Sequence, residues 1–222
     1  MIIEMKFGKE TMLLYAVTDR AWTGETTLYD KVECALKGGV TCVQLREKSL
    51  CEEDFFVEAV RMKEICSAYG VPLIINDNIS VALRAGADGV HVGQSDADVR
   101  KVRELAGDGF IIGASAHTAA QAADAERAGA DYIGAGAVFP TGTKADASCI
   151  SMDELKHITA SVKIPVVAIG GINKRNISAL SGSGVSGVAL VSAIFSAADI
   201  EKECRELYRL SGQMAKEGYF SK

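Results

Sequence analysis

Proline is scarce in this sequence, three residues in 222 against 22 glycines. Glycine in that excess points to repeated tight turns and close backbone approach to ligands, and speaks against flexible linkers or a collagen-like repeat. Aromatic residues are also few, at 6%, but hydrophobic residues make up 48% and charged residues 24%, which excludes a disordered or low-complexity chain. Nor is there an excess of cations. The 24 Lys and Arg stand against 29 Asp and Glu, a formal net charge of -5, so no general field attracts nucleic acid or an anionic membrane. Any anionic ligand must be held by a local cluster. The start, Met1-Ile2-Ile3-Glu4-Met5-Lys6, has no basic segment followed by a long apolar one, and no apolar run reaches the ~18–20 residues of a membrane helix. A cytoplasmic protein is expected. The 6 cysteines, Cys34, Cys42, Cys51, Cys66, Cys149 and Cys204, include no C-x-x-C pair. Without a secretory signal their even number implies no disulfide framework, and they read as reduced structural thiols.

At this length one large domain is the first reading, with a core that needs neither metal nor disulfide support. Short apolar runs alternate with longer amphipathic stretches, the βαβα pattern of a parallel sheet. Strands are predicted near Leu13–Val17, Cys42–Leu45, Leu73–Ile75, Gly89–Val92, Ile111–Ala114, Tyr132–Gly134, Val166–Ala168 and Val188–Val191. Helices are predicted between them, among them Glu52–Tyr69, Ala97–Leu105 with Asp96 as a cap, and Asp199–Met214. A helix, a glycine stop, a turn and a strand recur at Lys37–Val43, Ala85–Val92, Ala128–Ile133 and Gly182–Val188. The recurrence precedes every second strand, so the unit is two βα pairs taken four times. Such a sheet can close on itself, and a single-domain α/β (β/α)8 TIM barrel over residues 13–222 is the leading fold class. A doubly wound open sheet is the alternative. Residues 1–12 are expected to be peripheral.

Chemistry in this barrel sits at the C-terminal strand ends. After the second strand comes Gln44-Leu45-Arg46-Glu47-Lys48. If the chain stays extended, Gln44, Arg46 and Lys48 share one side, a trio suited to a diphosphate; the plainer reading is a solvated loop. Asn76 and Asp77 follow the third strand and Asp96 the fourth. Two carboxylates on neighbouring strands, Asp77 and Asp96, favour hard Mg²⁺ bound partly through phosphate oxygens and water. Either alone would be an ordinary cap or turn residue. His91 reads as a barrel-interior or loop residue, with no partner that the sequence identifies. Ser115 follows the fifth strand without an acid to complete a hydrolytic triad with His117, so a substrate contact or a helix cap is the better role. Thr141, Gly142, Thr143 and Lys144 follow the sixth strand and offer hydroxyl, backbone and ammonium donors to an anion. Gly170 and Gly171 end the seventh strand, and Val191 and Ser192 the eighth, where these barrels commonly hold phosphate. Two anion sites and a metal describe an enzyme joining two phosphorylated small molecules.

In order, Leu14–Asp19, Gln44–Lys48, Ile74–Asp77, Ala87–Asp96, Phe139–Lys144, Ala168–Ile172 and Val191–Ile194 resemble the thiamine-phosphate synthase, or thiamine-phosphate pyrophosphorylase, family over nearly the whole chain. The resemblance implies a transferase that condenses hydroxymethylpyrimidine diphosphate with hydroxyethylthiazole phosphate, with Mg²⁺ as cofactor. It implies that Gln44, Leu45, Arg46, Glu47, Lys48, Asn76, Ser115 and Lys144 hold the pyrimidine diphosphate. It gives Asp77 and Asp96 to the metal, and Thr141, Gly142, Thr143, Gly171, Val191 and Ser192 to the thiazole phosphate. Arg46, Lys48 and Lys144 are the expected catalytic cations, acting on a leaving diphosphate, with the segments Arg46–Cys51 and Thr141–Cys149 as lids. Ala137 stands where the family often has proline, and residues 1–12 exceed its usual start; neither departure removes a functional group. The partners implied are small molecules, with neither nucleic acid nor membrane. A thiazole tautomerase relative and a noncatalytic ligand-binding barrel are the rival readings.

Overall fold

The computed structural model describes residues 7–23, 26–94, 98–141 and 149–217. Eight parallel strands pair in chain order and close on themselves: β1 (Leu14–Val17), β2 (Cys42–Leu45), β3 (Leu73–Asn76), β4 (Gly89–Val92), β5 (Ile111–Ala116), β6 (Tyr132–Gly136), β7 (Val166–Ile169) and β8 (Gly187–Leu190). Tyr15 of β1 lies opposite Ala189 of β8, so the sheet has no open edge, and the open doubly wound alternative is excluded. Two further bonds tie this seam: the Ser211 hydroxyl donates to the Leu13 carbonyl at 2.6 Å, and Lys31 Nζ donates to the Phe195 carbonyl at 3.2 Å. The strands read as continuous apolar runs because both faces are covered. Leu14, Ala16, Val43, Leu45, Leu73 and Ile75 pack outward under the helices, while Tyr15, Val17, Cys42, Ile74, Tyr132 and Val167 fill the barrel.

The outer layer comprises α1 (Leu28–Lys37), α2 (Glu52–Ala68), α3 (Ile79–Arg84), α4 (Val99–Ala106), α5 (Ala119–Ala128), α6 (Met152–Ser161), α7 (Ser192–Phe195) and α8 (Ile200–Glu217). Thr27, Asn78, Thr118 and Ser151 cap four of them by accepting a backbone N–H. For α4 the cap is Asp98, whose carboxylate accepts from Arg100 N at 2.9 Å, and not Asp96. The helix therefore starts at Val99, two residues later than the apolar pattern predicts. Between β7 and β8 a single 3-10 turn, Ile177–Leu180, replaces the helix of the other units.

The recurring segment has a physical basis. Thr41, Asp88, Asp131 and Ser186 each donate their backbone N–H to a carbonyl near the start of the preceding odd-numbered strand, on Leu14, Leu73, Ile112 and Val166 respectively. Three of the four also accept from that strand: Thr41 Oγ1 from Leu14 N at 2.9 Å, Asp88 Oδ2 from Leu73 N at 2.8 Å and Asp131 Oδ2 from Ile112 N at 2.7 Å. Both aspartates also pair with a cation from the helix that precedes the odd strand, Lys63 of α2 with Asp88 and Arg103 of α4 with Asp131. Each of these three clamps fixes an odd strand to the even one after it. The described part of the N-terminal segment departs from the expected periphery. A 3-10 turn, Lys9–Met12, seats fully buried Met12 in the lower barrel, and the Phe7 ring lies 6.0 Å from that of Tyr132. Among the described residues no helix is long and apolar enough to cross a membrane.

Candidate active site

The opposite, C-terminal end of the barrel opens into a cavity of about 430 Å³. Gln44, Arg46, Lys48, Asn76, Asp77, Ser115, Thr141, Gly171, Val191 and Ser192 all line it, so ten residues singled out from six different strand ends meet in one mouth. Asp96, Gly142, Thr143 and Lys144 lie outside the described residues.

The strand β2 ends at Leu45, but its alternation continues because Thr18 extends the ladder from β1. Thr18 N donates to the Gln44 carbonyl at 2.9 Å, and the buried Thr18 Oγ1 accepts from Arg46 N at 2.9 Å. Gln44, Arg46 and Lys48 consequently face the mouth, as the two-residue period requires. The residues between them do not. Leu45 is fully buried in the layer under the helices, and Glu47 turns away to accept from Arg20 Nε at 2.7 Å. Neither side chain lines the cavity. Arg20 also pairs with Glu58 of α2. Burial and the neighbouring Glu47 push the Glu58 carboxyl above its ordinary range, against the opposing pull of Arg20. Glu47 Oε1 is buried without a hydrogen-bond partner among the described residues.

Directly after β3, Asp77 adopts φ +64°, a left-handed conformation uncommon outside glycine and tolerated best by Asn and Asp. Its N–H donates to the His91 carbonyl at 2.8 Å, and its carboxylate accepts from Lys48 Nζ at 3.0 Å and from the Asn76 amide. A carboxylate and an amide at the mouth are hard oxygen donors that fit Mg²⁺ better than a soft metal. Mg²⁺ held by one or two carboxylates completes its shell with substrate oxygens and water. Ser115 sits within β5 and caps no helix; its hydroxyl lies 3.0 Å from His91 Nε2.

Two glycines shape the other wall. Gly170 and Gly171 follow β7 with φ of +99° and +64°, and both line the cavity. The short α7 begins beside them at Ser192, preceded by Val191 without a side-chain cap. Tyr15 and Tyr132, which the sequence reading did not single out, and His91, which it put in the barrel interior or a loop without a role, line the floor. The signal for His91 was present in the period of two: it alternates along β4 with Val90 and Val92, which pack outward under the helices.

The sequence profile described as Thiamine monophosphate synthase matches residues 14–194. A thiamine-phosphate synthase of Clostridium acetobutylicum is 51% identical over 195 residues, which span 88% of this chain and 92% of that protein. The thiamine-phosphate synthase of Ruminiclostridium cellulolyticum is 48% identical, over 89% of this chain and 94% of that one. A solved structure of thiamine phosphate pyrophosphorylase from Pyrococcus furiosus superimposes with a TM-score of 0.85 at 38% identity, covering 93% of this chain and 98% of that one. With the barrel, the order of its strand ends and these likenesses together, the chain belongs to the thiamine monophosphate synthase family.

Proposed function

We propose that the chain condenses hydroxymethylpyrimidine diphosphate with hydroxyethylthiazole phosphate, forming thiamine phosphate and releasing diphosphate. One observation carries this reading: Arg46 and Lys48 with Asp77 share a single cavity with the Gly170–Gly171 turn and Ser192. Two anion grips in one mouth suit two phosphorylated substrates better than one. Gln44, Arg46, Lys48, Asn76 and Ser115 hold the pyrimidine diphosphate, together with Lys144. Thr141, Gly142, Thr143, Gly171, Val191 and Ser192 hold the thiazole phosphate. Leu45 and Glu47 contribute through the backbone alone. Asp77 and Asp96 hold Mg²⁺, which when bound supplies positive charge to the diphosphate oxygens. The enzyme is cytoplasmic and acts on small molecules, with neither nucleic acid nor membrane as partner.

The chain's own part in the chemistry is electrostatic. Arg46, Lys48 and Lys144 neutralise charge on the diphosphate as the C–O bond breaks and its electron pair passes to the leaving oxygen. The electron-rich aminopyrimidine stabilises the cation left at the methylene, and the thiazole nitrogen then forms the C–N bond with its lone pair. No side chain has to act as a nucleophile.

The test is purified full-length chain with both substrates and Mg²⁺, reading released diphosphate. Stoichiometric diphosphate and thiamine phosphate are expected, with loss of turnover in excess chelator. Full activity in chelator would remove the metal from the reading. Thiazole phosphate isomerisation without diphosphate release would instead indicate the tautomerase activity, and binding without any turnover a ligand-binding barrel. Electron-withdrawing pyrimidine substituents should slow the single-turnover rate strongly if C–O cleavage comes first. A flat series would leave direct displacement.

A further inference from the structure

An unbroken line of hydrogen bonds crosses the floor of the mouth. Gln44 Nε2 donates to the Tyr15 hydroxyl at 2.8 Å, and the Tyr15 and Tyr132 hydroxyls are 2.8 Å apart. The Tyr132 hydroxyl lies 3.0 Å from His91 Nδ1, and His91 Nε2 lies 3.0 Å from Ser115 Oγ. The line thus joins β2, β1, β6, β4 and β5. Room for it is built into the strands. A Cβ at Gly113 would collide with the Tyr132 ring and hydroxyl and with His91 Nδ1, and one at Gly134 would crowd the His91 ring at 3.0 Å.

The line has a direction. Burial pushes both phenols well above their ordinary range, so each keeps its single proton. Tyr15 accepts from the Gln44 amide, which leaves its own proton for Tyr132. Tyr132 then donates to His91 Nδ1. A neutral imidazole that accepts at Nδ1 carries its proton on Nε2, which donates to Ser115. The Ser115 hydroxyl proton is left for the mouth. With Gln44 Nε2 directed at Tyr15, the reverse direction would leave the Tyr15 proton with the Cys42 sulfur, a weak acceptor.

We infer that Tyr15, Tyr132 and His91 are positioning residues that fix Ser115 as a donor and the Gln44 carbonyl oxygen as an acceptor toward the aminopyrimidine ring. This rests on the proposed function and deepens it. The phosphate grips hold the charged end of the substrate, whereas this line reads the ring: the exocyclic amine donates to Gln44 and a ring nitrogen accepts from Ser115. An analogue with an oxo group in place of the amine, and a proton on the neighbouring ring nitrogen, presents the opposite pattern.

Two measurements test it. In full-length protein labelled with ¹⁵N-histidine, at a pH of about 8.5 where imidazole is neutral, His91 should carry its proton on Nε2, its resonances being assigned by their loss in His91→Asn. The Nδ1-protonated tautomer would overturn the inference whatever the enzyme's activity. In the condensation assay, Tyr15→Phe and Tyr132→Phe should each raise KM for the pyrimidine diphosphate about tenfold, leave KM for the thiazole phosphate unchanged, and narrow the wild-type preference for the amino over the oxo analogue. Equal losses on both substrates, or an unchanged preference, would reduce the line to a structural role. If wild type releases no diphosphate, the proposed function fails, and the tautomer still reports on the line separately. A variant that does not fold leaves the wild-type tautomer to decide.

Discussion

Gly171 meets two demands at once. Its φ of +64° disfavours any side chain, and a Cβ there would run into the Pro140 carbonyl and the Phe139 side chain. Gly171→Val should therefore cost about 1–3 kcal/mol of stability and also weaken the thiazole phosphate, because the displaced segment carries Thr141. Thermal melting and the two KM values check this. A loss confined to the pyrimidine diphosphate would reverse the assignment of the two walls. The glycine pair was visible in the sequence as a place of close backbone approach. That the approach is to Pro140 was not, because the contact depends on how β6 and β7 lie side by side. His91 shows the same limit. Its inward face follows from alternation along β4, whereas its partners come from β5 and β6 and are set by the barrel's register.

Among the elements, the loop after β2 depends on a neighbour that does not touch the mouth. Arg20 binds Glu47, the residue between two of the cavity's cations, and ties it to Glu58 on α2. Arg20→Met leaves two buried carboxylates facing each other without a cation. A cost of about 2 kcal/mol is expected, less than for a fully buried pair because Arg20 is 44% exposed. Adding Glu47→Gln and Glu58→Gln should recover most of it. Denaturant titration of the single and triple variants checks the pattern, and an unaltered single variant would mean that the pair contributes nothing net. The sequence showed Glu47 only as a member of a charged run. Strand positions were far more legible, since runs such as Cys42–Leu45 and Gly89–Val92 carry their own boundaries. Helices were less so: the turn at Ile177–Leu180 takes the place of an expected helix, and Asp98 supplies the cap that a nearby aspartate could equally have provided.

For the molecule as a whole, the cysteines divide by depth. Cys42, Cys66 and Cys204 are buried, Cys34 is half-buried, and Cys51 and Cys149 are exposed. Burial pushes the Cys66 and Cys204 thiols up to about 12. Under native conditions an alkylating reagent should modify Cys51 and Cys149 quickly, Cys34 slowly and the three buried thiols only on unfolding. Mass spectrometry of labelled peptides reads the order, and early labelling of Cys66 would contradict the packing of α2 on the barrel. The barrel itself was legible from the fourfold recurrence around Thr41, Asp88, Asp131 and Ser186, because each unit repeats the same local junction. The hydroxyl line across its floor was not, since it joins strands that are distant in the chain.

The seam between β1 and β8 sets a timetable for synthesis. A ribosome delivers β1 early and β8 late, and the mouth takes wall residues from both, Val17 near one end and Ser192 near the other. Until β8 emerges and lies against β1, the growing chain can form only an incomplete sheet with two bare edges, each a template for pairing with another molecule. No truncated intermediate therefore offers its ligands a finished pocket, and a substrate added during translation can stabilise only the chain whose ring has closed.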